Sequence, residues 1–183
     1  MATEKQKPEI IIAVTGGVAA FKAAALTSQL VQNGVGVRTV MTKSAQQFIG
    51  QATFAALTGR PVVTDLFDPA YPLGAHIELA RTSQLLCVVP ATANFLSAAA
   101  QGRSDDLLST LYLCFTGPVI VAPAMNCEMW DKPAVQRNVK QLIADGVIMA
   151  EPQEGWLSCR TKGKGRMAEP ATIAELINTT LGD

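Results

Sequence analysis

Short apolar runs rich in β-branched residues alternate with longer segments of helical periodicity, and this alternation is what most constrains the fold. Runs of this kind, closed by glycine, proline or hydroxyl residues, predict strands buried on both faces of a parallel sheet. They cover residues 9–14, 35–41, 85–89, 119–122 and 147–150, with a short edge strand predicted at 61–64. The predicted fold class is α/β: a three-layer α/β/α, doubly wound (Rossmann/flavodoxin-like) parallel sheet with right-handed crossovers, in a single domain.

The length of 183 residues fits one domain, which we place at residues 9–183 after a polar, disordered lead over residues 1–8. Residues 151–167 are predicted to form a long loop, and loops of that length are usually functional or disordered. No apolar run approaches the roughly 20 residues of a membrane span, and the lead lacks the apolar core of a signal peptide. We therefore expect a cytoplasmic protein without a membrane partner.

The charge balance argues against a nucleic-acid partner. Fifteen basic and fifteen acidic residues cancel and are interspersed, so the basic stripe of a nucleic-acid binder is missing. The four cysteines show no CxxC spacing, and we expect neither a disulfide framework nor a metal site. Small molecules and further copies of the chain are the expected partners.

Polar residues follow four of the predicted strands at the point where each strand ends. They are the segments 16–17, 42–44 and 91–94 and the residue Asn126. In an open parallel sheet, ligands bind outside the carboxyl ends of the strands. We therefore expect one pocket at this edge of the sheet.

Two of these segments stand at predicted helix starts, where backbone N–H groups attract anions. Taken singly, Gly16 and Gly17 are equally well explained as a tight turn, because they lack the GxGxxG spacing, and Thr42 and Ser44 are better explained as N-caps. Taken together, they favour a phosphate held between two helix starts. The apolar surroundings suit a flat ring such as a flavin.

Two single residues carry further chemistry. His76, the only histidine, can exchange a proton near neutral pH or pair with a carboxylate, although a surface or capping histidine is an equal alternative. Asn126 offers a donor and an acceptor for a carboxylate or an amide, although asparagines in turns are commoner than asparagines that bind ligands.

The segment 156–167 differs from the rest of the chain because it sets Cys159 among four cations, Arg160, Lys162, Lys164 and Arg166. A cationic setting suits a thiol that transfers protons, and the glycines permit closure over a ligand. The positive charges are also suited to a phosphorylated substrate. The alternative is a solvated loop whose charges do nothing specific.

Four motifs together resemble the homo-oligomeric, flavin-containing cysteine decarboxylase family. They are GGVAAFK at 16–22, PATAN at 90–94, PAMNCEMW at 123–130, and a cysteine loop that ends in GKGRMAEP at 163–170. The eight-residue PxMNxxMW signature and the cysteine loop are the specific ones. The chain departs from the family pattern at Gly17, Thr92 and Phe95.

The resemblance implies a cofactor, a reaction and an assembly. The cofactor is FMN, and the reaction converts 4'-phosphopantothenoylcysteine to 4'-phosphopantetheine in coenzyme A biosynthesis. It proceeds by thiol oxidation, loss of CO2 and reduction of an enethiol, with the cofactor supplying the redox chemistry. The implied assembly is a homotrimer or a dodecamer of trimers, with the flavin between subunits.

The resemblance also implies roles for individual residues. His76 and Cys159 are the expected catalytic residues, with Cys159 as the proton donor in the last step. A substrate clamp is expected at 151–168. The expected substrate contacts are Asn126, Trp156, Ser158 and Met167. The expected FMN contacts are Gly17, Val18, Thr42, Ser44, Thr92, Ala93, Asn94 and Ala124.

Four alternatives remain. A peptidyl-cysteine decarboxylase stops at the unsaturated thiol and lacks the cysteine loop, and the flavin prenyltransferases share the fold without PxMNxxMW. A non-catalytic FMN-binding regulatory relative would have lost the histidine, asparagine or cysteine. A flavodoxin-type electron carrier would need neither Cys159 nor Asn126.

Overall fold

The computed structural model describes residues 8–182 of the chain. The predicted disordered lead therefore lies outside the described residues except for Pro8. The Pro8 carbonyl accepts a hydrogen bond from the Gly36 N–H at 2.8 Å. None of the helices within this range combines the length and the apolar character that crossing a bilayer demands.

A five-stranded, all-parallel sheet forms the centre of the molecule, with strand order β2-β1-β3-β4-β5. Its strands are β1 (Glu9–Val14), β2 (Gly36–Met41), β3 (Leu85–Ala91), β4 (Val119–Pro123) and β5 (Ile148–Met149). The five predicted strands are confirmed, with β5 shorter than expected. The predicted edge strand at 61–64 is reduced to one bridge between Val40 and Val63.

Helices cover both faces of the sheet, which confirms the three-layer prediction. Their bounds are α1 (Ala20–Gln32), α2 (Gln51–Thr58), α3 (Ala75–Thr82), α4 (Ala93–Ala100), α5 (Leu107–Cys114), α6 (Cys127–Trp130), α7 (Pro133–Ala144) and α8 (Pro170–Leu181). Alternate strand residues point to opposite faces. Ile10 and Ile12 pack with α1, α2 and α8, while Ile11 and Ala13 pack with α3, α4, α5 and α7.

The strand order reverses between β1 and β3. From β1 the chain moves outward to β2 and then returns past β1 to β3 on its other side. This is the flavodoxin-like order, and its crevice lies where the loops after β1 and β3 diverge to opposite faces. The fold therefore places the expected pocket between the loop after β1 and the loop after β3.

The predicted long loop at 151–167 is wrong, because this segment contains an antiparallel hairpin. Its strands are β6 (Gln153–Trp156) and β7 (Lys162–Arg166), and they pair from Gln153–Arg166 to Trp156–Lys162. The hairpin is a sheet of its own. Its strands are mostly polar and exposed, so they lack the alternation of apolar and polar residues by which strands are usually predicted.

Candidate active site

The Thr15 hydroxyl joins the ends of β1 and β3. Its Oγ1 donates to the Pro90 carbonyl at 2.7 Å and accepts from the Thr92 N–H at 3.1 Å. Thr15 is almost completely buried, and this removes competition from water. The two loops on either side of the strand-order reversal are therefore held at a fixed separation.

The glycine turn that follows Thr15 lies against the loop after β2. A Cβ atom added at Gly16 would lie 2.5 Å from the Ser44 Cβ, whereas one added at Gly17 would meet only Pro90, at 3.9 Å. Gly16 is therefore required by a close approach between two loops. Gly17 leaves open space on the pocket side of the turn.

Asn126 forms the N-cap of the short helix α6, directly after β4. Its Oδ1 accepts from the Met129 N–H at 2.9 Å, and this orients the side chain. The amide Nδ2 at the other end is a donor, because one carboxamide carries both functions. The cap thus presents a donor to the edge of the sheet.

The hairpin contacts the backbone of the segment between β4 and α6. The Met125 N–H donates to the Gly165 carbonyl at 3.1 Å. Gly165 has φ of 138°, and a Cβ atom there would collide with the Met125 carbonyl. Only glycine fits this position, so the hairpin is held close enough to wall the site.

Lys22 fastens the exit of the hairpin to α1. Although only 8% exposed, it donates from Nζ to the Met167 carbonyl at 3.2 Å and to Glu169 Oε1 at 3.0 Å. Arg166 donates to the same carboxylate at 2.7 Å. The Lys22 hydrogen bond, with Arg166 adding to it, holds the pKa of Glu169 below its ordinary value.

These elements enclose a cavity of about 540 Å³ at the carboxyl edge of the sheet. Ten of the fourteen predicted catalytic, substrate-binding and FMN-binding residues line it: Gly17, Val18, Thr92, Ala93, Ala124, Asn126, Trp156, Ser158, Cys159 and Met167. Cofactor sites typically have volumes of roughly 300–1,000 Å³. One chain therefore brings together the glycine turn, Asn126 and Cys159 as expected.

Four predicted site residues do not line this cavity: Thr42, Ser44, Asn94 and His76. The Thr42 Oγ1 accepts from the Ala45 N–H at 3.2 Å, while Ser44 abuts Gly16. The expected second helix at Thr42 is only a single 3-10 turn, Ala45–Gln47. Asn94 is exposed in the first turn of α4.

His76 lies in the first turn of α3, a helix that packs on the sheet face opposite to α1. Its Nδ1 is buried and has no hydrogen-bond partner within residues 8–182. Its carbonyl accepts from the Cys114 thiol at 3.4 Å. Within one chain, the histidine and Cys159 are not brought into one cavity.

Sequence reasoning did not predict the roles of Thr15, Lys22 and Glu169. Thr15 and Thr92 are separated by 77 residues, and Lys22 and Glu169 by 147. Lys22 and Glu169 do fall inside two of the motifs, at 16–22 and 163–170. The presence of a lysine in one motif and a glutamate in the other is the signal that could have identified the Lys22–Glu169 contact.

A second cavity of similar size, about 530 Å³, lies at the opposite edge of the sheet. It borders the loops that precede β4 and β5, with Tyr112 and Asp145 as its titratable residues. Ligands of parallel sheets bind at the carboxyl ends of the strands, and none of the predicted site residues reaches this second cavity. The first cavity is therefore the candidate active site.

A metal centre finds no support in the part of the chain that the structure describes. No group of three or more histidine, cysteine, aspartate or glutamate side chains converges within residues 8–182. The first cavity is instead walled by small and apolar residues, with hydroxyl, amide and thiol groups at a few points.

The family described as Flavoprotein matches residues 1–182. The chain belongs to the flavoprotein family. The coenzyme A biosynthesis bifunctional protein CoaBC of Bacillus subtilis (strain 168) is 46% identical over 168 residues, which are 91% of this chain and 41% of that protein. This flavoprotein chain thus spans about two fifths of the length of the curated relatives that it matches.

Two solved structures of flavoprotein relatives share the whole architecture. One is a PPC decarboxylase mutant, with a cysteine replaced by serine, complexed with pantothenoylaminoethenethiol. The match has a TM-score of 0.88 and 30% sequence identity, and it covers 97% of this chain and 100% of the mutant's chain. The FMN-dependent cysteine decarboxylase SpaF has a TM-score of 0.83 and 36% identity, covering 95% and 97%.

Replacing Glu169 with glutamine should lower the stability of this flavoprotein in a pH-dependent way. Because the folded-state pKa of Glu169 is depressed, the contribution of its carboxylate to the free energy of unfolding is complete above the unfolded pKa, roughly 4.3. That contribution is lost as the pH falls through the folded pKa. The carboxylate is partly exposed, so the loss at pH 7 should be about 0.5–1 kcal/mol.

Urea unfolding of the Glu169→Gln variant and the wild type, at pH 7 and at a series of lower pH values, measures this difference. The matched control is Glu175→Gln on the exposed side of α8, which should change little across the series. A loss that does not decrease anywhere in the series would mean that the charge of Glu169 does not anchor the hairpin.

Proposed function

We propose that this chain catalyses the FMN-dependent decarboxylation of 4'-phosphopantothenoylcysteine to 4'-phosphopantetheine, a step of coenzyme A biosynthesis. The observation that carries the proposal is the convergence of Asn126 and Cys159 on one cavity at the β1/β3 crevice. The likeness to a PPC decarboxylase over nearly the whole chain and to the CoaBC proteins supports the choice of substrate.

The residues of the cavity fit a flavin. Gly17 leaves room for a ring beside the turn, and Ala93 and Ala124 keep the neighbouring walls flat. The Thr92 N–H is already donated to Thr15, so the phosphate would meet other backbone N–H groups of the first turns that follow Gly17 and Thr92. The remaining predicted FMN contacts, Thr42, Ser44 and Asn94, would bind the cofactor from outside the cavity lining. When bound, FMN supplies the electron transfer of the reaction.

Asn126 and the hairpin would hold the substrate. The Nδ2 of Asn126 is suited to donate to the substrate carboxylate, since its Oδ1 is already committed to Met129. Trp156, Ser158 and Met167 border the same cavity from the hairpin side. The hairpin, with its flanks at 151–168, would act as a clamp that excludes water from the reacting thiol.

Cys159 and His76 are the proposed catalytic residues. Cys159 is exposed and lines the cavity, so its thiol could protonate the carbon of the enethiol during the final reduction. His76 would act near the departing carboxylate or as the base in the thiol oxidation. Because one chain does not bring them together, His76 would reach the reaction from a second copy.

We therefore propose a homo-oligomer, a trimer or a dodecamer of trimers, with the cavity between subunits. Large apolar side chains are exposed at the rim, including Phe21 at 62% and Trp156 at 61%. Their burial against a neighbouring subunit would stabilise such an assembly. The expected cytoplasmic location stays a prediction.

A peptidyl-cysteine decarboxylase is the second candidate, because the likeness to the FMN-dependent cysteine decarboxylase SpaF supports the reaction without fixing which molecule carries the cysteine. An enzyme that stops at the unsaturated thiol needs no proton donor for a reduction. The placement of Cys159 at the cavity favours the complete reaction instead. A regulatory, non-catalytic relative would need neither Cys159 nor Asn126.

The proposal is tested with purified protein loaded with FMN. Incubation with 4'-phosphopantothenoylcysteine should yield a product lighter by one CO2 and with no new double bond, measured by mass spectrometry. A cysteine-terminated peptide is the control substrate and should react slowly. Conversion of the peptide to an unsaturated product, with no turnover of 4'-phosphopantothenoylcysteine, would instead support the second candidate.

Replacing Cys159 with serine should separate decarboxylation from reduction. The hydroxyl is a far weaker acid than the thiol, so the rate at which the saturated product forms should fall by at least about a hundredfold. CO2 should still be released. The enethiol should accumulate, and mass spectrometry detects it. Cys127→Ser is the matched control, because Cys127 does not line the cavity. Wild-type yields of saturated product from Cys159→Ser would contradict the role of proton donor.

Replacing His76 with asparagine should abolish decarboxylation without loss of the flavin. Asparagine keeps hydrogen-bonding capacity but cannot exchange a proton, so CO2 release should fall by at least about a hundredfold. Absorbance of the bound flavin and the rate of CO2 release are the two measurements. Unchanged turnover would remove His76 from the reaction.

A further inference from the structure

Two cysteines share one threonine hydroxyl where the hairpin meets α6. The Cys159 Sγ lies 3.1 Å from the Thr161 Oγ1, and the Cys127 Sγ lies 3.9 Å from the same oxygen. The two sulfur atoms are therefore no farther apart than the sum of those distances. The cysteines are 32 positions apart in the sequence, and the docked hairpin brings them together.

The contact around Cys127 is tight on the hairpin side. A Cβ atom at Gly163 would lie 2.6 Å from the Cys127 Cβ and 3.0 Å from its Sγ, so the backbone of β7 packs directly on this side chain. Together with the Met125–Gly165 hydrogen bond, this fixes Cys127 relative to β7. The tip of the hairpin lies between β6 and β7, and its residues 158–161 are exposed, so a shift of these residues can bring the sulfurs into bonding distance while Leu157 stays buried.

Cys159 is in that tip and is exposed, so an oxidant reaches it from solvent. The next residue, Arg160, has a φ of 65°, which lies in the left-handed region. The tip holds its shape by hydrogen bonds from the Leu157 N–H to the Thr161 carbonyl and from the Arg160 N–H to the Leu157 carbonyl, both at 2.9 Å. No core packing of Cys159 opposes its movement.

We propose that Cys127 and Cys159 form a reversible disulfide within the chain when the protein meets a peroxide. The Cys159 thiolate attacks one oxygen of hydrogen peroxide, and the O–O bond breaks to give a sulfenic acid and a hydroxide that is protonated to water. The Cys127 sulfur then attacks the Cys159 sulfur and displaces the second water. The two thiols lose two electrons and two protons, and the peroxide gains them.

The other two cysteines are poor competitors. Cys87 is fully buried in β3, and its burial raises the pKa of its thiol. Cys114 is half-buried, burial raises the pKa of its thiol as well, and its Sγ is engaged with the His76 and Leu111 carbonyls. Both thiols stay protonated and shielded, so oxidation is directed to the pair at the hairpin.

The disulfide would remove the thiol of Cys159 from the cavity, and this consequence rests on the proposed function. In the oxidised protein the proton donor for the enethiol reduction is missing, and the clamp is tied to α6. Disulfide formation itself does not depend on which reaction the cavity performs. Titration of the free thiols therefore tests the disulfide even if the decarboxylation assay fails.

The test is oxidation of the purified, FMN-loaded protein by hydrogen peroxide. Titration of free thiols after unfolding should fall from four to two, and dithiothreitol should restore four. Mass spectrometry of non-reduced peptides should find the Cys127 and Cys159 peptides joined and lighter by two hydrogens. Electrophoresis without reductant should show a monomer, because the bond lies within one chain.

Two variants keep the proposal falsifiable. In Cys127→Ser and Cys127→Ala, Cys159 has no partner and should be carried to sulfinic acid, a loss that dithiothreitol does not reverse. Enzyme activity in reductant should be unchanged in both variants. A reversible loss of one thiol in the wild type, a covalent dimer, or an oxidised Cys159 beside a free Cys127 would each overturn the proposal.

Discussion

The site depends on one buried hydroxyl that holds two diverging loops at the reversal of strand order. Thr15 Oγ1 donates to the Pro90 carbonyl and accepts from the Thr92 N–H, so the ends of β1 and β3 cannot separate. The Ala124 N–H donates to the Ala91 carbonyl at 3.0 Å and adds β4 to the same edge. The hydrogen bonds that join the carboxyl ends of β1, β3 and β4 thus fix the walls of the cavity.

The hairpin completes the cavity, and both apolar and polar contacts attach it. Its strands are mostly polar and exposed, but Leu157 at its tip and Met167 and Ala168 after it are buried. Backbone bonding to Met125 and the Lys22–Glu169 pair add to this burial.

Much of this structure was predictable because five strands are continuous apolar runs, and a run such as 119–122 has few alternatives to a buried strand. Of the polar residues predicted to meet at this edge, Gly17, Thr92 and Asn126 line one cavity, whereas Thr42 and Ser44 do not. The hairpin was missed because Lys162–Arg166 carries no apolar alternation. The Lys22–Glu169 contact was missed because the two residues are 147 positions apart, and only their presence in two of the motifs links them. The separation of His76 from Cys159 within one chain also depends on tertiary topology, which periodicity does not give.

Under the proposed function, one cavity at the β1/β3 crevice holds the flavin ring and the substrate thiol in contact. This contact is tested by the absorbance spectrum of the FMN-loaded protein when 4'-phosphopantothenoylcysteine is added without oxygen. The flavin band should bleach or shift on mixing and recover as product forms. A spectrum that stays unchanged while the substrate is bound would contradict it.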